Sequence, residues 1–86
     1  RGHVAEDFRS QAMQVWANIQ AQLRAANMTL DNLVKVTVYL ADRRFGPTHR
    51  AIREEVLGGR LVALSVVICD MLDERHLLEI EAIAAV

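Results

Sequence analysis

The sequence LVKVTVYL, residues 33–40, decides the fold. Its β-branched and aromatic side chains are typical of a strand, and its alternation assigns successive residues to opposite faces. A strand with this pattern is expected to bury one face and to leave a more polar face opposite. The predicted faces are Val34, Val36, Val38 and Leu40 on one side, and Lys35, Thr37 and Tyr39 on the other.

An amphipathic helix is predicted on each side of this strand. The first runs from about Ala5 to Ala26, and Asn27 follows it where a left-handed capping residue is expected. The second begins at Pro47, whose ring suits the first turn of a helix, and runs to about Leu57, where Gly58-Gly59 ends it. The apolar stripe of the first helix, with Trp16 as its core anchor, comprises Phe8, Ala12, Val15, Trp16, Ile19, Leu23 and Ala26.

Two more strands are predicted in the last third of the chain. The apolar run Leu61–Met71 indicates a strand covered on both faces, and Leu77–Val86 indicates a second one. The polar turn Asp73–His76 between them has a length that suits a hairpin, so we expect the two strands to be antiparallel neighbours. The order helix, strand, helix, strand, strand predicts an α+β domain. The strand–helix–strand part is expected to cross over right-handedly and to stack both helices on one face of the sheet.

Composition points to one small domain that either associates with copies of itself or lacks a piece of its fold. Of 86 residues, 52% are hydrophobic, which is more apolar surface than a core of this size hides. The bare face of the sheet is the expected contact between subunits. A net charge of −1 and the lack of an apolar run of ~20 residues favour neither a nucleic-acid nor a membrane partner. The arginines from Arg43 to Arg60 are interpreted as a solvated helix face, with an anion-binding patch as the alternative. The single cysteine, Cys69, lies in an apolar run and favours a reducing, cytoplasmic setting.

Few residues have the spacing of a catalytic motif. The histidines His3, His49 and His76 lie too far apart to form a zinc helix, so we expect no metal, and we expect no cofactor because no glycine-rich phosphate loop is present. Glu79 and Glu81 share a strand face, roughly 7 Å apart at ~3.4 Å per residue, in an otherwise apolar tail. A partly buried carboxylate there could act as a general acid or base; the alternatives are a solvated face or a structural pairing.

Three segments resemble proteins of the RidA/YjgF family, the enamine/imine deaminases also known as endoribonuclease L-PSP. They are Ala5–Asn32, the strand VKVTVYL at 34–40 followed by Asp42, and the tail LEIEAIA at 78–84. The likeness spans nearly all of residues 1–86, which we interpret as a single RidA-like domain. It corresponds to the C-terminal two-thirds of a usual member, and the family's N-terminal hairpin has no counterpart in this sequence.

The resemblance implies a chorismate-mutase-like fold, with two helices on one face of a mixed sheet, and a trimeric barrel. It also implies small-molecule clefts between subunits. There Glu79 corresponds to the glutamate that orients the hydrolytic water, and Ser65 to a serine of the cleft. Leu64 stands where the family has the arginine that binds the substrate carboxylate, and Val66 stands where a cysteine is common. Tyr39, on the bare face, is expected to contact the ligand as well.

Leucine at position 64 makes the usual imino-acid hydrolysis doubtful. It offers no donor to a carboxylate, and losing such a contact in a desolvated site costs ~2–5 kcal/mol. Arg60, or an arginine of another subunit, is a possible substitute, and the family's asparagine of the second helix falls on or near His49. Three hypotheses stay open: an imine or enamine hydrolase with an atypical substrate, a non-catalytic ligand-binding trimer, and an endoribonuclease, which the near-neutral charge disfavours. The sequence leaves the substrate unspecified.

Overall fold

Two helices pack on one mixed three-stranded sheet in the computed structural model, which describes residues 7–86. The helices and the first strand follow the predicted pattern closely, and short 3-10 turns at Leu30–Asn32 and Arg43–Phe45 flank that strand. The elements are α1 (Phe8–Ala25), β1 (Leu33–Leu40), α2 (Gly46–Leu57), β2 (Ala63–Ile68) and β3 (Leu78–Ala84).

Both helices end where the sequence predicts. Asn27 follows α1 with φ of 60°, and Gly58 follows α2 with φ of 60°, so each chain reversal uses a residue that tolerates the left-handed region. At the other end of α1, the Asp7 carboxylate accepts a hydrogen bond from the Ser10 amide at 2.8 Å. The predicted start at Ala5 lies outside the described residues. Pro47 lies in the first turn of α2, as expected.

The strand order corrects one prediction. The sheet is ordered β2-β1-β3, with β1 parallel to β2 and antiparallel to β3, so the predicted hairpin of the last two strands is wrong. β1 takes the middle because its helix-facing side chains, such as Val38 and Leu40, are fully buried there. Just after β2, the Cys69 amide donates a hydrogen bond to the Leu40 carbonyl at the end of β1 (3.0 Å). Just before β3, the Leu77 carbonyl accepts one from the Ala41 amide (2.9 Å). Residues 69–77 therefore pass the end of β1 and connect the two outer strands.

A bulge near the start of β1 corrects a second prediction. Leu33 pairs with Ala84 and Lys35 with Ile83, so Val34 is an extra residue on β1. Leu33 is therefore buried, whereas Val34 is 53% exposed instead of facing the core. Beyond the bulge the predicted alternation is confirmed.

The core lies between the helices and the sheet. Trp16 is almost completely buried, as predicted for the anchor of α1, and Ile52 of α2 is fully buried. The rings of Phe8 and Phe45 stack with centroids 4.6 Å apart, which joins the start of α1 to the turn before α2. The buried apolar residues are Phe8, Ala12, Trp16, Leu23, Leu30, Leu33, Val36, Val38, Leu40, Ile52, Leu57 and Leu78.

A buried glutamine fastens α1 to the segment that joins β2 and β3. The Gln11 amide donates to the Arg75 carbonyl and its oxygen accepts from the Leu77 amide, each at 2.8 Å. These two bonds hold the entry to β3 against the helix layer.

The sheet leaves its second face uncovered. We call this face, opposite the helices, the open face. The strand predicted over Leu61–Met71 covers only Ala63–Ile68, and Val66, Val67 and Ile68 are each more than 40% exposed. The prediction that this strand is covered on both faces is therefore wrong for a single chain. The open face carries Lys35, Thr37, Tyr39, Ala63, Ser65, Val67, Glu79, Glu81 and Ile83.

Candidate functional site

Three rows of paired residues run across the open face. Directly opposed residues of a ladder point to the same side of the sheet, so the strand register gives the rows directly. The row nearest the C-terminal ends of β1 and β2 consists of Val67, Tyr39 and Glu79, with Tyr39 in the middle. The middle and last rows are Ser65–Thr37–Glu81 and Ala63–Lys35–Ile83.

The register separates the predicted site residues into two groups. Ser65, Tyr39 and Glu79 lie on the open face, whereas Leu64 and Val66 pair with buried residues of β1 on the helix face. Leu64 is half-buried and packs against the core. Within one chain, Leu64 and Glu79, the positions that the resemblance matches to the family's arginine and glutamate, therefore lie on opposite sides of the sheet.

Two carboxylates of β3 differ in what they bind. The Tyr39 hydroxyl donates to Glu81 Oε1 at 3.3 Å, and the negative charge of Glu81 is the main cause that raises the pKa of Tyr39 above its usual value near 10. Glu79 has no hydrogen-bond or ionic partner among residues 7–86. The two share a face, as predicted, but both are exposed in the single chain, so the apolar surroundings expected for a general acid are absent there.

A lysine–serine pair occupies the other side of the open face. Lys35 Nζ donates to Ser65 Oγ at 2.8 Å, and both residues are half-buried. Sequence reasoning placed Lys35 on the polar face without assigning it to the site. Its contact with a residue thirty positions away depends on the parallel pairing of β1 with β2, which no local pattern specifies.

Most of the arginine cluster is neutralised within the chain. Arg44 pairs with Asp42 at 3.0 Å and Arg50 with Glu54 at 3.3 Å. Arg60 contacts Asp31 at 2.6 Å and also donates to the Leu57 carbonyl at 3.1 Å. These pairings favour the solvated helix face over the anion-binding patch, and in the single chain they give Arg60 an acidic partner.

His49 belongs to the core and not to the open face. Its ring is 2% exposed, and burial lowers its pKa to about 4, with the charge of Arg53 as a smaller cause. The Arg53 guanidinium, which can only donate, lies 3.2 Å from Nε2, so the ring proton of neutral His49 sits on Nδ1. Neither His49 Nδ1 nor the Trp16 indole nitrogen has a hydrogen-bond partner in the described part of the chain. Local sequence gave no sign of this burial.

A shallow groove of about 450 Å³ runs between α1 and β3. Its walls are mainly apolar, and the acidic residue Glu81 reaches it from β3. The groove adjoins the strand that carries Glu79, but Glu79 does not line it. Its lining residues are Ile19, Gln22, Leu23, Ala26, Met28, Ile80, Glu81, Ala82 and Ala84.

Residues 7–86 contain neither a cluster of metal ligands nor a helix that could span a membrane. No three histidine, cysteine, aspartate or glutamate side chains converge there as a metal ion would need. Neither α1 nor α2 is both long and apolar enough to cross a bilayer.

Solved structures define the class of fold. A Rid family protein of unknown function from Yersinia pestis superposes with a TM-score of 0.90 and 33% identity, over 96% of this chain and 67% of that one. A YjgF/YER057c/UK114 family member from Mycobacterium tuberculosis has a TM-score of 0.90 over 95% of this chain and 70% of its own; at 24% identity it supports the fold alone. Both place the chain among proteins of the YjgF fold.

Sequence comparison gives the family itself. The profile described as endoribonuclease L-PSP matches residues 1–86. A RutC family protein of Pyrococcus horikoshii is 38% identical over 81 residues, which are 94% of this chain and 64% of that protein. The chain therefore belongs to the endoribonuclease L-PSP family, which is the RidA/YjgF family. It spans 64% of the length of that curated relative.

Proposed function

We propose that this protein binds a small molecule in clefts formed where the open faces of neighbouring copies meet in a homotrimer, and that it hydrolyses an imine or enamine there. The observation that carries the proposal is the carboxylate of Glu79, which has no partner within residues 7–86 and is exposed beside Tyr39 on a face that also exposes Val67 and Ile83. Burial of that face between subunits would supply the desolvated surroundings that the single chain lacks. The half-buried free Cys69 favours a cytoplasmic setting.

The chemistry requires one well-placed proton acceptor. Water attacks the carbon of the C=N bond while a carboxylate takes one of its protons and passes it to the nitrogen, which gives a carbinolamine. The same carboxylate then moves the proton of the carbinolamine hydroxyl to the nitrogen, so that the C–N bond breaks, ammonia leaves and a carbonyl forms. Glu79 suits this role better than Glu81, because Glu81 already accepts the hydrogen bond of Tyr39. We therefore assign Glu79 to the water and Glu81 to a structural pairing.

Leu64 determines which substrates are disfavoured. It presents only hydrocarbon, and it lies on the helix face of its own chain. A substrate whose carboxylate relies on an arginine at this position gains no hydrogen bond from it. We expect 2-imino acids to react ~30- to 4000-fold more slowly than with an arginine present, the factor that corresponds to ~2–5 kcal/mol.

The test is hydrolysis of 2-iminobutanoate generated in the assay by a threonine dehydratase. We expect slow turnover that the Glu79→Gln variant reduces to the rate without protein, while Glu81→Gln on the same face keeps most of it. Equal rates for wild type and Glu79→Gln, with both folded by circular dichroism, would contradict the proposal. No turnover, together with a ligand-induced rise in melting temperature, would instead favour the non-catalytic ligand-binding trimer.

A further inference from the structure

Lys35 is half-buried, and its ammonium group has no counter-ion within residues 7–86. Its Nζ lies 2.8 Å from Ser65 Oγ, and within residues 7–86 no carboxylate comes within ion-pairing distance of it. Arg9, Arg44, Arg50, Arg60 and Arg75 each have an acidic partner, whereas Arg24, Arg43 and Arg53, like Lys35, have none within residues 7–86. A cation that is partly removed from water favours a nearby negative charge, and nothing in the described part of the chain supplies one to Lys35.

The pair has three hydrogen-bond donors to offer. An ammonium group only donates, so Ser65 Oγ must act as the acceptor of the Lys35 hydrogen bond. The serine hydroxyl proton is then available to a third group, as are the two remaining N–H bonds of Lys35. Three donors and one positive charge match a carboxylate, whose two oxygens only accept.

The alternation of β1 places Lys35 on the open face. It lies just after the bulge, between Ala63 and Ile83, two apolar neighbours. Its ammonium reaches towards Ser65 in the middle row, which neighbours the row of Tyr39 and Glu79 at roughly 7 Å along the strands. A ligand held by the pair could therefore extend to Glu79.

We propose that Lys35 and Ser65 bind the carboxylate of a small ligand whose reacting carbon lies several bonds away, towards Glu79. This inference rests on the proposed function in taking the open face as the cleft, and it adds the substrate class. The spacing disfavours 2-imino acids, in which the carboxylate adjoins the C=N carbon. It favours imines with a remote carboxylate, and the Lys35–Ser65 pair replaces the arginine that is absent at position 64.

The test uses 4-oxopentanoate, a keto acid with a remote carboxylate, and the uncharged 2-pentanone as its matched control. We expect calorimetric titration to show binding of 4-oxopentanoate at least tenfold tighter than binding of 2-pentanone. Lys35→Met keeps the apolar stem of the side chain. It should weaken the binding of the keto acid at least tenfold and leave the binding of the ketone unchanged. Lys35→Arg should retain most of the affinity, and Ser65→Ala should lose part of it.

Three results would overturn the inference. The first is that wild type binds the keto acid and the ketone equally well. The second is that folded Lys35→Met binds the keto acid as tightly as wild type does. The third is that wild type does not bind the keto acid and that Lys35→Met forms a smaller oligomer. The last would assign Lys35 to a carboxylate of a neighbouring copy. Keto-acid binding that depends on Lys35, with no hydrolysis of 2-iminobutanoate or of the imine of 4-oxopentanoate, would sink the hydrolase and leave the carboxylate binding by Lys35 and Ser65 intact. Turnover that depends on Glu79, with binding indifferent to Lys35, would do the reverse.

Discussion

The charged and polar residues of the open face fall into two groups, those that already have a hydrogen-bond partner of their own chain and those that can still bind a ligand. Glu81 accepts from Tyr39, whereas Glu79 has no partner in residues 7–86. Lys35 contacts only the neutral hydroxyl of Ser65. The unpaired charges are therefore one carboxylate and one ammonium, which lie in different rows of the same face. This division is why we assign the chemistry to Glu79 and the ligand charge to Lys35.

The titration of Tyr39 reports directly on this assignment. Because the charge of Glu81 is the main cause that raises the pKa of Tyr39, Glu81→Gln should lower that pKa towards 10. Glu79→Gln should lower it less, since Glu79 is a weaker cause. Tyr39 is the only tyrosine, so an ultraviolet absorbance titration measures it without ambiguity. A larger effect of Glu79→Gln would show that the pairing of Tyr39 is wrongly assigned.

Acid should destabilise the protein through His49. Its pKa is lowered from 6.5 to about 4 in the folded state, so between these values the unfolded chain binds the proton more readily. Stability is thus unaffected above pH 6.5 and falls as the pH drops towards 4, by up to ~2–3 kcal/mol at ~1.4 kcal/mol per pKa unit.

Urea unfolding at several pH values measures this loss against a matched variant. His49→Leu fills the same buried space without a titrating ring, so its stability should fall less than that of wild type between pH 6.5 and 4. The exposed His76→Gln is the control and should follow wild type. Parallel pH profiles of wild type and His49→Leu would show that His49 is not the acid-sensitive group.

At the scale of elements, the sequence pattern correctly predicted the features that depend only on residues close together in the chain. The helix ends at Asn27 and Gly58, the bounds of β1 and the inward face of α2 follow from side chains that are neighbours in sequence. The bulge was not predictable from alternation, because Leu33 and Val34 are both apolar and either could face the core. The strand order was also missed. A connection of hairpin length permits a hairpin, but β1, whose helix-facing side chains are fully buried, lies in the middle of the sheet with a neighbour on each side.

The end of α2 offers a test of one such local determinant. Gly58 has φ of 60° and ψ of −131°, a conformation that residues with a Cβ rarely adopt, whereas Gly59 has no such constraint and open space around its Cβ position. Gly58→Ala should lower the free energy of unfolding by ~1–3 kcal/mol. Gly59→Ala should change it by ~0.5 kcal/mol or less. Thermal unfolding compares the two, and equal effects would refute a backbone origin.

At the scale of the whole molecule, the sequence indicated an apolar excess but not the residues that share the exposed surface. The excess is visible as Val67 and Ile83 on the open face. Ser65 and Glu79 share this face, whereas Leu64 does not. This arrangement depends on the register of three strands, and hence on contacts between distant parts of the chain. The family resemblance suggested roles for these three positions, and the structure then placed Leu64 on the face opposite Ser65 and Glu79.

The central claim is that the open face is the functional surface and that other copies of the chain cover it. Native mass spectrometry at micromolar concentration tests this claim most directly. Val67 and Val66 are neighbours with similar exposure, 41% and 44%, on opposite faces of β2. We predict that wild type and Val66→Glu have three times the mass of one chain, and that Val67→Glu, folded by circular dichroism, has the mass of one. A monomeric wild type, or a Val67→Glu variant that assembles as wild type does, would contradict the account.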